Sequence, residues 1–172
     1  MKIILLLISM SISFSAIAQK DFDRITDEQG ELIYKGHFLF EDLLTEPLFP
    51  WMKAGIEEYA PDSNALKFLK KNLPGYELVI FLGTWCSDSH TMIPSLYKTL
   101  QESAMPAKYA IYGVDMAKEE KYVAHKLYKV EYVPTVILIR NNMEIGRIVE
   151  TTRDGIETDL KHLIEADLKQ QQ

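Results

Sequence analysis

The sequence predicts one α/β domain built on a mixed central β-sheet flanked by helices, preceded by an N-terminal extension. Three observations lead there. Between residues 76 and 150 lie four short apolar or alternating runs of strand character. The first three are separated by segments whose apolar residues recur at three-four spacing, as on one face of a helix. The last two are joined by Asn141-Asn142, a pair suited to a tight hairpin turn. Strands linked through helices are expected to run parallel and those linked by a two-residue turn antiparallel, so the sheet should be mixed.

Residues 1–18 read as a cleaved secretory signal. Met1-Lys2 is a basic start, Ile3 to Phe14 an apolar run, and Ala16-Ile17-Ala18 a small-x-small cleavage site that places the mature start at Gln19. The run is short for a membrane span of about 20 apolar residues and has no basic stop-transfer flank. It also holds no cysteine for lipid attachment. The expected location is across the inner membrane, in a periplasm or outside the cell. The extension, 19–61, opens with a polar stretch around Gly30 that reads as a loose lead-in or weak strand pair. A short strand at His37–Phe40 follows, and then helical pieces broken by Pro47 and Pro50 and apolar enough to pack on the domain.

The domain proper, 62–172, begins with a helix capped by Asp62 or Ser63, inward at Leu66, Leu69 and Leu73, and stopped by Pro74-Gly75. "YELVIFLG" (76–83) is a strand buried on both faces. Ser87–Ser103 is a helix. "AKYAIYGVD" is a second strand, and 118–130 a helix with Tyr122, Val123 and Leu127 inward. "TVILIR" and "EIGRIVE" form the closing hairpin, and Asp154 caps a final helix inward at Ile156, Leu160, Leu163, Ile164 and Leu168.

Composition narrows the function. Net charge is −6, and loss of Lys2 makes it one unit more negative, which argues against general affinity for nucleic acid or anionic membrane. The chain has one cysteine, Cys86, so no internal disulfide staples it. In an oxidising compartment a lone cysteine is either a reactive thiol or a small buried hydrophobe. Four histidines show no paired ligand spacing with it, so no metal is expected, and no cofactor. A glycine-rich phosphate loop is missing, and no histidine sits in a cysteine-protease motif.

"GTWCSDSHTMIP" places Cys86 at a strand-to-helix junction, with Ser89 three residues on and Pro94 eight residues on; "VEYVPTVIL" then sets Val133-Pro134-Thr135 at the head of a strand. A cysteine in a helix's first turn meets unpaired backbone N–H groups and the positive end of the macrodipole, which favour the thiolate. Together these landmarks resemble the thioredoxin superfamily, specifically its secreted bacterial thioredoxin-like members, over about residues 63 to 168. The resemblance implies a thioredoxin-like fold and a thiol nucleophile at Cys86. It implies a bend at Pro94, where proline costs about 3 kcal/mol in an ordinary helix interior. It also implies a cis Pro134 that turns the Val133 backbone towards the sulfur. An extended client could then pair with Val133 as an added strand. Trp85 is either core or, as favoured here, part of the apolar rim, so Trp85, Val133 and Pro134 make up the expected docking surface.

The chain departs from the family at two positions. Ser89 stands where a resolving cysteine would be, leaving a monothiol C-x-x-S motif. Its hydroxyl is either a hydrogen-bond donor to the Cys86 thiolate or an ordinary first-turn residue. Ile80 stands where the family often carries a buried aspartate. Asp88 would oppose the thiolate if its charge came close. His90, four residues after Cys86, is expected to be a solvated surface residue; as a cation it would favour the thiolate instead. Gly83 takes the place of the hydroxyl residue of single-cysteine peroxidases, which makes that activity a poor fit. The reading is a secreted monothiol thiol–disulfide oxidoreductase or isomerase acting on thiol- or disulfide-containing clients or small thiols. The alternative is a redox-inactive module that grips a peptide in the same groove.

Overall fold

A computed structural model describes residues 21–171 apart from residues 104 and 107, so the signal read at 1–18 lies outside the described residues. Six strands form one sheet: β1 (Phe22–Thr26), β2 (Leu32–Phe38), β3 (Glu77–Leu82), β4 (Lys108–Gly113), β5 (Thr135–Arg140) and β6 (Met143–Val149). Their spatial order is β1-β2-β4-β3-β5-β6, with β3 and β4 parallel and the other neighbours antiparallel. The helices are α1 (Phe40–Thr45), α2 (Pro50–Glu58), α3 (Ser63–Asn72), α4 (Ser87–Glu102), α5 (Ala124–Leu127) and α6 (Ile156–Lys169). The expected mixed sheet flanked by helices is therefore present, and the N-terminal segment extends it by two strands.

Strand alternation divides the core. Leu78, Ile80 and Leu82 join one cluster with Leu69 of α3, Ile93 and Leu96 of α4, and Leu160 of α6. Val79 and Phe81 point the other way, into a smaller cluster that Ala124 and Tyr128 cover. Pro94 lies inside α4, and α2 crosses it at Gly55: a Cβ there would come within 2.7 Å of the Pro94 ring. Only a glycine lets the two helices approach this closely at that point.

The structure overturns several expectations. β5 is not parallel to β4; it returns antiparallel on the far side of β3. The 16 residues of α4 run about 24 Å, enough to carry the chain back along β3 so that β4 starts at the same end. The four residues of α5 span only about 6 Å, so the chain turns round at the end where β4 stops. The helix expected at 118–130 is cut to Ala124–Leu127 because the Glu120 carboxylate, buried, accepts the N–H groups of Tyr122 (2.6 Å) and Ala124 (2.5 Å) and folds the chain into a loop. Lys121 and Tyr122 are drawn out to Asp23 and Asp21 (2.9 and 2.6 Å). Tyr122, Val123 and Leu127 consequently face solvent, and His125 points inward instead. Asp154 does not cap α6. Gly155 is the N-cap, at φ 96°, and the Asp159 carboxylate reaches back to the N–H of Arg153 at 2.8 Å.

One buried carboxylate ties the N-terminal hairpin to the helices after it. Glu46 accepts from Tyr34 Oη (2.6 Å), from Arg24, and from the Leu48 N–H (3.3 Å). Burial pushes its carboxyl up, but the Tyr34 and Arg24 hydrogen bonds outweigh that and hold it below the ordinary value of 4.5. The Tyr34 phenol is pushed up, first by burial and then by the same bond. A depressed carboxyl adds stability above its unfolded-state pKa and loses it as pH falls through the folded value. Glu46→Gln is expected to cost about 1–3 kcal/mol in urea unfolding at pH 7. That cost should shrink steadily once pH drops below 4.5.

Candidate functional site

Four strand ends meet at one edge of the sheet. In spatial order they are the end of β4, the end of β3, the start of β5 and the end of β6. The loop 83–86 leaves β3 at this edge, and Cys86 is the N-cap of α4, with extended backbone (φ −93°, ψ 123°). Because α4 begins one residue later, its first N–H groups have no partner within the helix and lie beside the sulfur's own residue.

Cys86 is half-buried, and its Sγ donates to the Val133 carbonyl oxygen at 3.3 Å. The Val133–Pro134 bond is cis. Val133 and Pro134 have buried side chains, so what they offer the groove is backbone. Trp85 is half-buried; its Nε1 donates to the Val114 carbonyl (3.0 Å), which spreads the indole between the β3 and β4 ends. The structure thus gathers Cys86, Trp85, Val133 and Pro134 around one edge.

Ser89 lies behind them. It is fully buried, and its Oγ accepts the Gly83 N–H at 3.3 Å. That bond uses a lone pair and leaves the hydroxyl proton uncommitted. Ile80, where a buried aspartate would sit, is fully buried among aliphatic groups of the larger cluster.

Several residues that build the site gave no such signal in the sequence. Thr84 is buried, and its Oγ1 accepts the Tyr34 N–H (3.1 Å) while donating to the Leu32 carbonyl (2.9 Å), so β2 holds the loop directly. His90 is not a solvated surface residue. Its ring stacks on Trp51 of α2, with centroids 4.4 Å apart and planes 14° apart. Its Nε2 lies 2.7 Å from the Thr84 carbonyl, so that nitrogen carries the proton and donates. A stack across two helices cannot be read from residues this far apart in sequence. Glu150 is the third: its N–H donates to the Pro134 carbonyl at 2.8 Å, and its φ of 59° is left-handed.

Charged groups stand on both flanks of the edge. Lys118 lies 5.1 Å over the ring of Tyr132, beyond the β4 end. Asp88 and Glu150 stand on the opposite flank and border a cavity of about 250 Å³ with Tyr59, Met92 and Ile156.

Comparison with a family model agrees with this architecture. The thioredoxin family model matches residues 65–164. A crystal structure of a Pseudomonas aeruginosa protein of unknown function is similar with a TM-score of 0.56 at 14% identity, over 75% of this chain and 92% of its own. A thioredoxin from Schistosoma mansoni is 24% identical over 61% of this chain and 88% of its own, with a TM-score of 0.39. Thioredoxin 2 from Pseudomonas aeruginosa is 21% identical over 62% and 92%, with a TM-score of 0.40. No curated protein sequence matches the chain.

Gly83 tests the packing of the loop. A Cβ at that position would lie 2.6 Å from Trp85 Cε2 and 2.7 Å from its Nε1. Gly83→Ala should therefore displace the indole and break its bond to Val114, costing about 1–3 kcal/mol. Urea unfolding measures the loss, and a red shift of tryptophan emission reports the displaced ring.

Proposed function

Because the chain belongs to the thioredoxin family, we propose that it is a thiol–disulfide exchange protein of monothiol type, with Cys86 as nucleophile. The observation that carries this reading is the pairing of a half-exposed sulfur at the head of α4 with the Val133 carbonyl at 3.3 Å, beside a cis Pro134. When the Cys86 proton leaves to solvent, the thiolate attacks one sulfur of a client or small-molecule disulfide. The client S–S bond breaks, a mixed disulfide forms at Cys86, and the second sulfur departs as a thiolate that takes up a proton. The Val133 carbonyl, released from the thiol, can accept a backbone N–H of the client.

Ser89 is assigned as a positioning residue whose free hydroxyl proton can turn towards the thiolate. It cannot displace a sulfur. Release of the mixed disulfide therefore falls to an outside thiol, protein-borne or small. The basic-apolar-small start of the sequence supports export, with action in a periplasm or outside the cell. One observation favours a second reading, a redox-inactive peptide-binding module: Ile80 leaves the thiol without the carboxylate that would move its proton.

Titration with an aromatic disulfide separates the two. The exchange reading expects one equivalent of aromatic thiolate released per chain, and a mass increase of one adduct that persists until free thiol is added. Cys86→Ala should release none. Ser89→Cys should then form an internal disulfide and reduce a model disulfide protein with dithiothreitol as electron source. A wild-type thiol that stays unlabelled in the folded protein and reacts only in urea would establish the binding-module reading instead.

A further inference from the structure

We propose that the cavity between the head of α4 and the segment after β6 selects client segments carrying a lysine or arginine close to the reacting cysteine, and that Asp88 and Glu150 make the selection. The inference rests on the exchange reading above and adds the chemistry of the client. The cavity of about 250 Å³ on the β6 flank has Met92, Ile156 and Tyr59 as its apolar lining. Its charged lining residues are Asp88 and Glu150, both carboxylates, and no basic side chain lines it. Among the described residues neither carboxylate has an ion-pair partner.

The two acids reach this cavity from different elements. Asp88 sits in the first turn of α4, two residues after Cys86, and Glu150 hangs from the Pro134 carbonyl by its own N–H at 2.8 Å.

A lining of apolar and hydroxyl-bearing side chains with two carboxylates matches one kind of side chain, an aliphatic stem ending in a cation. An acidic client side chain would be repelled, and a neutral one would gain only the walls. Both of these carboxylates stand on the β6 flank of the edge. Selection is therefore one-sided: a basic residue should help on one side of the client cysteine and not on the other.

The test uses the purified protein and short peptides whose single cysteine carries a 2-thiopyridyl disulfide. Arginine, or its neutral isostere citrulline, is stepped through three positions on each side of that cysteine. Cys86 displaces thiopyridine, whose absorbance gives the rate. At low salt, arginine on one side should react at least about fivefold faster than citrulline, and added salt should narrow the gap. In the Asp88→Asn, Glu150→Gln double variant the ratio should fall to about one. Equal rates at every position, or a ratio that survives in the double variant, would overturn the proposal. A second arm measures binding of serine-for-cysteine peptides by fluorescence anisotropy. An arginine preference there, with no exchange in the first arm, would keep the groove and remove the exchange reading. No preference in either arm would remove the groove.

Discussion

The buried hydroxyl of Thr84 is the constraint on which the candidate site depends. It accepts from one backbone group of β2 and donates to another, so the loop between β3 and α4 is fixed from the N-terminal side of the molecule. The carbonyl of the same residue takes the His90 N–H, which Trp51 holds in place by stacking. Gly83, Trp85 and Cys86 each add one further bond, to Ser89, Val114 and Val133. A short loop anchored at so many points has little freedom, and the sulfur inherits its position from that rigidity. Sites fixed in this way keep their geometry because the supporting groups are themselves packed.

This also gives the N-terminal segment a physical role. It supplies Tyr34, Phe38, Leu43 and Met52 to the larger core cluster, and through β2 and α2 it carries the groups that clamp Thr84 and His90. The Glu46 carboxylate, gripped by Tyr34 and Arg24, secures that segment in turn. Stability at the far edge of the sheet and order at the loop are thus coupled through β2.

The groove takes its chemistry from sheet order. Because β5 runs antiparallel beside β3, its first residues and the last of β6 arrive at the edge where β3 and β4 end. Backbone from Val133 and Pro134 therefore faces Cys86, and Glu150 comes to rest beyond it. Asp88 and Glu150 line one cavity on the β6 flank. They meet there through sheet order, since one lies in α4 and the other follows β6.

Much of this was written in local patterns. The buried strand 76–83, the three-four spacing after Ser87, the Asn141-Asn142 turn and the Asp62 cap are short-range signals, and the structure follows each of them. The Cys86 and Val133-Pro134 landmarks were legible because each sits at a strand end that the sequence marks clearly. The strand exchange that set β5 against β3 was not legible, because it turned on how far a four-residue helix can carry the chain. Nor was the loop at 115–123, where buried Glu120 overrode helix periodicity by capturing two backbone N–H groups. Trp51 on His90, β2 on Thr84 and Glu150 on Pro134 join residues far apart in the chain, and no pattern of neighbours encodes such a meeting. By itself the sequence determined most of the elements and the place of Cys86 at a strand-to-helix junction; tertiary packing decided which distant residues surround it, because Val133, Trp51 and Glu150 arrive there through space and not through order along the chain.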